Sequence, residues 1–182
     1  QGKKTIALHL DKKLAANAYT LEVTPQGVTI AGGSDEGAFY GIQSLKSLIA
    51  PAAWRGVQKS VSIPTVQVND HPRFNYRAFM IDVARNYHSK RDLLRIIDLL
   101  ALYKLNVLHF HFSDDEGWRV EIPSLPELTT VGAKRGHSSD PRKMLPPSYG
   151  SGPDTTNTAG SGYLTRNDFI EVLRYATERH IR

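Results

Sequence analysis

The chain has no cysteine among its 182 residues. Disulfide scaffolds and thiolate metal sites are therefore excluded, although the compartment is not fixed by this, since many exported proteins also lack cysteine. No apolar stretch approaches the ~18 residues of a membrane span, so no transmembrane helix is expected. No run of five or more like charges occurs either. The net charge of +5 rests on scattered residues such as Lys12, Lys13, Arg73, Arg77, Arg85, Arg91 and Arg95. That distribution reads as a solvated surface and argues against nucleic acid as a partner. What the chain does have is 40% hydrophobic residues, enough for a real core and too many for global disorder.

The first part reads as a small strand–strand–helix unit. Tyr19 to Thr24 alternates as a strand, Pro25-Gln26-Gly27 is a turn, and Val28-Thr29-Ile30 pairs back as a hairpin. Thr5 to Leu10 hints at a further strand. Ser34 is placed to cap a helix, with Asp35 and Glu36 in its first turn and Phe39, Ile42, Leu45, Leu48 and Ile49 at helical spacing before Pro51. Ser60 to Val68 is extended, with Pro64 marking an edge. Asn69 to Arg73 reads as a linker, which sets the expected domains at residues 1–69 and 70–182.

The second part opens with a βαβ unit. Tyr76 to Ala84 is a strand, and Ser89-Lys90-Arg91-Asp92 starts a helix whose buried stripe is Leu93, Ile96, Ile97, Leu100 and Tyr103. Leu105 to Ser113 is a second strand, apolar almost throughout, as a parallel strand buried on both faces should be. A right-handed crossover makes the two strands parallel. Residues 135–162 are rich in Gly, Pro, Ser and Thr, and a loop of that length is usually functional or disordered. Thr165-Arg166-Asn167-Asp168 starts another helix, with Phe169, Ile170, Val172, Leu173 and Ala176 as its apolar stripe, and His180-Ile181-Arg182 approaches a third strand. This rhythm suggests the beginning of a (β/α)8 barrel, which needs ~250 residues, whereas about 110 remain after residue 70.

Ligands gather at the carboxyl ends of parallel strands. The second strand ends there in Asp114, Asp115, Glu116, Trp118 and Arg119, acceptors and a flat ring of the kind a polyhydroxylated ligand needs. Four groupings are candidates for chemistry. Arg77 with Asp114 and Asp115 either reaches a ligand from within the barrel or forms a partly buried structural pair. His109 and His111 share one strand face, either as core histidines or, with Asp114 or Asp115, as a divalent metal site. Asp82 with Arg85 and Asn86 stands at the rim, for ligand or to brace the loop. Trp118 either stacks on a sugar or packs against Val120 and Ile122.

Two long segments resemble glycoside hydrolase family 20, the β-N-acetylhexosaminidases. They are Arg73-Phe74-Asn75-Tyr76-Arg77-Ala78-Phe79-Met80-Ile81-Asp82-Val83-Ala84-Arg85-Asn86-Tyr87 and Tyr103 through Arg119, with Leu108-His109-Phe110-His111-Phe112-Ser113-Asp114-Asp115-Glu116-Gly117-Trp118-Arg119 at its core. Pro126-Glu127-Leu128, Gly132-Ala133 and Gly37 through Leu45 continue the match. The resemblance implies an α/β fold: a small α+β domain followed by the first βα units of a TIM barrel. It implies a retaining hydrolase of terminal β-linked N-acetylglucosamine or N-acetylgalactosamine, in which the substrate's own acetamido oxygen is the nucleophile. It attaches binding of sugar hydroxyls to Arg77, with Asp114 and Asp115 in the pocket. It implies no cofactor and no metal, an N-acetylhexosamine-containing glycan and the rest of the barrel as partners, and an exported enzyme. The family's catalytic Asp-Glu dyad is expected beyond Arg182, so the 182 residues alone are expected to be inactive. Asn86 departs from the histidine often found after the arginine. A non-catalytic carbohydrate-binding or scaffold module and a metal-dependent barrel hydrolase are the alternatives.

Overall fold

The computed structural model describes residues 4–115, 117–145 and 150–182. Its contacts divide into two units, Gln1–Arg77 with Ala101–Leu105, and Ala78–Leu100 with Asn106–Arg182.

In the first unit, strands β1 (Thr5–Leu10), β2 (Tyr19–Val23) and β3 (Gly27–Gly32) precede helix α1 (Asp35–Ser47) and strand β4 (Val66–Asp70). The sheet order is β1-β3-β2-β4, with β1 parallel to β3 and the other pairs antiparallel. The β2–β3 hairpin closes where the sequence places its turn, with Thr24 and Gly27 exchanging backbone hydrogen bonds. Ser34 caps α1 by accepting from the Gly37 amide at 3.4 Å. The helix lies close on the sheet because Gly41 has no side chain: a Cβ there would stand 2.5 Å from Ile30. Tyr19, Leu21, Val23, Ile30, Tyr40 and Leu45 form the core. Asn69 and Asp70, expected in a linker, instead complete β4 opposite Thr20 and Tyr19. Asp70 is held there by the Tyr19 hydroxyl at 2.6 Å and the Lys104 ammonium at 3.1 Å.

The second unit is built on strand β5 (Ala78–Asp82), helix α2 (Lys90–Leu102) and strand β6 (Val107–His111), with β5 and β6 parallel and in register from Ala78↔Val107 to Asp82↔His111. Two short antiparallel pairs follow: β7 (Ser113–Asp114) with β8 (Gly117–Trp118), then, after the one-turn helix α3 (Glu127–Thr130), β9 (Gly136–His137) with β10 (Ser151–Gly152). Helix α4 (Arg166–Thr177) comes last. Its start is a full capping box between Thr165 and Asp168, and Ser89 and Asp92 bond reciprocally at the start of α2. Arg182 then runs beside β6, exchanging backbone bonds with Asn106 and Leu108.

Alternation decides which strand side chains are covered. Ile81, Leu108 and Phe110 turn toward a cluster with Val83, Leu93, Leu164 and Phe169. The opposed pairs Met80↔His109 and Asp82↔His111 share the other face, where Met80 and His109 are exposed. The expected strand buried on both faces is therefore covered on one. It also stops at His111, and the chain turns back through β7 and β8. The helix stripes are narrower than expected. In α4, Val172 and Ala176 are buried, whereas Leu173 and Ile170, about 100° and about 160° round the helix from Val172, are exposed. Tyr103 follows the end of α2 and is exposed.

Candidate functional site

Parallel pairing brings the last residues of β5 and β6 to one edge, and the polar side chains there converge. The Arg85 guanidinium stands 2.9 Å from Asp82 Oδ2 and 2.7 Å from Asp114 Oδ2. His111 Nε2 lies 2.7 Å from the same Asp114 oxygen and 3.0 Å from Arg85 Nη1. Nη1 carries two hydrogens, and the two carboxylates take them. His111 is therefore assigned the tautomer that donates from Nε2 to Asp114.

The backbone holds this cluster in place. Asp82 Oδ1 accepts from the amides of Ala84 and Arg85 at 2.9 and 3.2 Å, which turns the chain at the end of β5 and aims Arg85 back over the strand ends. Asp114 Oδ1 accepts from the Asp115 amide at 2.7 Å. That amide first, then His111 and the Arg85 charge, keeps the Asp114 carboxyl below the ordinary carboxylate value. The cluster is neither sealed nor fully wet: side-chain exposure is 17% for Arg85 and 24% for Asp114. A ligand with hydroxyl groups could reach both a donor fork and two carboxylates there.

One expectation is corrected. The arginine that reaches Asp114 is Arg85, not Arg77. Arg77 precedes β5, whereas Asp114 follows β6, and the strands are parallel. The described hydrogen bonds of Arg77 run to Lys104 O at 2.7 Å, Phe74 O at 2.6 Å and the Tyr40 hydroxyl at 2.7 Å. Its guanidinium also lies over the Tyr40 ring at 5.3 Å. The reason is length: a five-residue strand separates Arg77 from the end where Asp82 and His111 meet. Asp115 is exposed and contributes its backbone to the cluster, through its amide to Asp114 and its carbonyl to Arg135. Glu116 lies outside the described residues.

Trp118 takes the packing role. Its Nε1 donates to the Val120 carbonyl, and its ring meets Phe112 edge-on. His109 and His111 share a face, but among the described residues no three His, Asp or Glu side chains gather as a metal-holding group. The long loop reaches the rim through His137, whose Nδ1 lies 3.2 Å from Asn86 Oδ1. Around β9 and β10 it lines an open pocket of about 390 Å³, with His137, Ser138, Lys143, Asp154 and Asn157 among its walls. Arg119 is the residue that sequence reasoning misplaced. It is not at the surface with the acids but fully buried.

Parallel strands, a helix crossing between them and an ionic cluster at their carboxyl ends are the arrangement with which an α/β barrel begins. Comparison with known proteins gives the family. Residues 74–182 match "Glycosyl hydrolase family 20, catalytic domain", and residues 1–71 match "Glycosyl hydrolase family 20, domain 2". The chain belongs to glycosyl hydrolase family 20. It is 46% identical over 177 residues to a β-hexosaminidase of Vibrio vulnificus, covering 97% of this chain and 20% of that protein. It is 45% identical over 166 residues to the N,N'-diacetylchitobiase of Vibrio harveyi, covering 91% of this chain and 18% of that protein. The solved family 20 β-N-acetylhexosaminidase of Streptomyces coelicolor superimposes with a TM-score of 0.80 at 34% identity, covering all of this chain and 34% of that one. The V. harveyi exo β-N-acetylglucosaminidase, solved with N-acetylglucosamine, superimposes with a TM-score of 0.79 at 34% identity, covering 97% and 26%. The chain thus spans about a fifth of the length of the curated relatives it matches. Its fold is a small α/β domain followed by the first βα units of a (β/α)8 barrel. Among the described residues no helix is long and apolar enough to cross a membrane.

Proposed function

We propose that the protein carrying this chain is a retaining β-N-acetylhexosaminidase that removes terminal N-acetylglucosamine or N-acetylgalactosamine by substrate-assisted catalysis. The observation that carries the reading is the Arg85–Asp114 pair, with Asp82 and His111, at the carboxyl rim of a family 20 chain. In this reading Arg85 and Asp114 grip the hydroxyls of the sugar. The guanidinium donates and the carboxylate accepts, and each holds the other in place before the ligand arrives. The role that the resemblance attaches to Arg77 passes to Arg85, because Arg85 is the arginine beside Asp114. Asp115, exposed next to the pair, is a further acceptor.

The relatives named as hexosaminidases and a chitobiase, and the neighbour solved with N-acetylglucosamine, support the substrate class. The exposed Met80 and His109 on the second face of β5 and β6 support further barrel strands as the covering partner. Bond cleavage is assigned to groups outside this chain, and export accompanies the reading by family analogy.

The test is hydrolysis of p-nitrophenyl N-acetyl-β-glucosaminide by the full-length protein, with the first-formed anomer followed by NMR. Release of the β anomer supports the proposal. Sugar binding without turnover would make it a carbohydrate-binding module instead. Neither binding nor turnover would sink both.

A further inference from the structure

Among the described charged residues of the second unit, Arg119 alone is fully buried. Its described partners are all backbone carbonyls. Nε donates to Val83 O at 2.9 Å and Ala84 O at 3.2 Å, and Nη2 to Ala84 O at 2.8 Å. Nη1 donates to Ala133 O at 2.9 Å and Gly162 O at 3.0 Å. Those carbonyls belong to three separate stretches of chain: the residues just before Arg85, and the two sides of the neck of the long rim loop.

The neck itself is thin. Gly162 N bonds Ala133 O at 3.0 Å, and Ser161 Oγ exchanges bonds with the Arg135 backbone at 2.8 Å. Further out along the loop, the His137 side chain meets Asn86 at the rim, Nδ1 to Oδ1 at 3.2 Å. Gly162 sits at φ +146°, and a Cβ there would stand 2.3 Å from the Tyr87 ring, so the neck is pressed against the residues that follow Arg85.

We propose that Arg119 is a positioning residue: it clamps the neck formed by Ala133 and Gly162 to the end of β5 and thereby fixes where Arg85 stands. The inference rests on the sugar-binding reading of Arg85 given above. The fork is what the place requires. A guanidinium offers five N–H groups in a fixed plane and can serve carbonyls on several segments at once, whereas a lysine offers a single nitrogen. Burial lowers the Arg119 pKa to about 10, which leaves it charged at neutral pH. Its cation therefore strengthens every carbonyl bond it makes in a dry environment.

The test uses the full-length protein. Arg119→Lys keeps the charge and loses the fork. It should raise KM for the aryl substrate by about tenfold or more while changing kcat less, the pattern of a misplaced binding group. Combined with Arg85→Ala it should add nothing, because a residue that acts through Arg85 has no effect once Arg85 is gone. Limited proteolysis should cut within residues 135–162 of Arg119→Lys faster than in the parent. Should Arg119→Lys not fold, Gly117→Ala replaces it, since a Cβ there would stand 2.8 Å from Ala84 O and 3.0 Å from the guanidinium, nudging the same contacts without removing them. Unchanged KM in a folded variant, or losses that multiply with Arg85→Ala, would overturn the proposal. If the parent neither binds nor hydrolyses the sugar, the reading of Arg85 fails, and the clamp is then judged by the protease cut alone: faster cutting keeps it and equal cutting ends it.

Discussion

Arg85 and Arg119 lie in the same unit and meet opposite company. Arg85 is partly open, and its charge is answered by the carboxylates of Asp82 and Asp114. Arg119 is shut away from water, and its described hydrogen bonds all go to main-chain oxygens. A paired, accessible guanidinium can exchange part of its environment for a ligand. A guanidinium that serves carbonyls from three segments has nothing to exchange without loosening the fold. Arg77, in the first unit, follows the second pattern in milder form, bonded to two carbonyls and the Tyr40 hydroxyl. The tyrosine hydroxyl in turn donates a hydrogen bond to Glu36 at 2.5 Å, and burial first, then Glu36, raises its pKa.

The contrast can be broken by substitution. On the proposed function, Arg85→Ala in the full-length protein should lower kcat/KM by about 100-fold or more, since several charge-assisted hydrogen bonds worth about 1.5–3 kcal/mol each would go unmade, while the thermal midpoint changes little. Near-normal kinetics would remove Arg85 from the site. Arg77→Ala should do the reverse: a loss of about 2 kcal/mol in stability, read as a lower thermal midpoint, with kcat/KM of the folded protein within about threefold of the parent. A collapse of activity at full stability would return the sugar role to Arg77. Thr165→Ala removes the capping box of α4 and should cost about 1 kcal/mol with no change in KM, which sets the scale for damage remote from the rim.

The smallest effect is a titration. The folded Asp114 carboxyl is held below its ordinary value, so its ion pair contributes fully above the unfolded value of about 3.9. That contribution fades only as pH falls through the lower folded value. A carboxyl carbon NMR titration should give a midpoint below about 3.9, and a midpoint at or above it would mean that the Asp115 amide, His111 and Arg85 do not hold the anion.

Local signals were readable because they act over a few residues. The helix starts at Ser34, Ser89 and Thr165 are all present as capping interactions. The βαβ unit followed from periodicity and chirality alone. Choosing between Arg77 and Arg85 was harder, because both flank one strand and the choice turns on which end meets the ligand. The carboxyl-end rule favours Arg85, and it is Arg85 that stands beside Asp114. The burial of Arg119 left no trace in the sequence. Its partners are carbonyls, which every residue has, so no neighbouring acid announces them. The stripe of α4 was overdrawn for a related reason: Ile170 and Leu173 are apolar, but sequence does not say how wide a face the neighbouring elements cover.

Asp82 and His111 are partners on the final rung of the β5–β6 ladder. Their separation is therefore dictated by the ~4.8 Å interval between hydrogen-bonded strands and owes nothing to the turns that leave the sheet above them. Changes of length or sequence beyond Arg85 and Asp114 would therefore leave the spacing of this rung untouched, so the two strand ends give the rim one fixed interval from which the rest is hung.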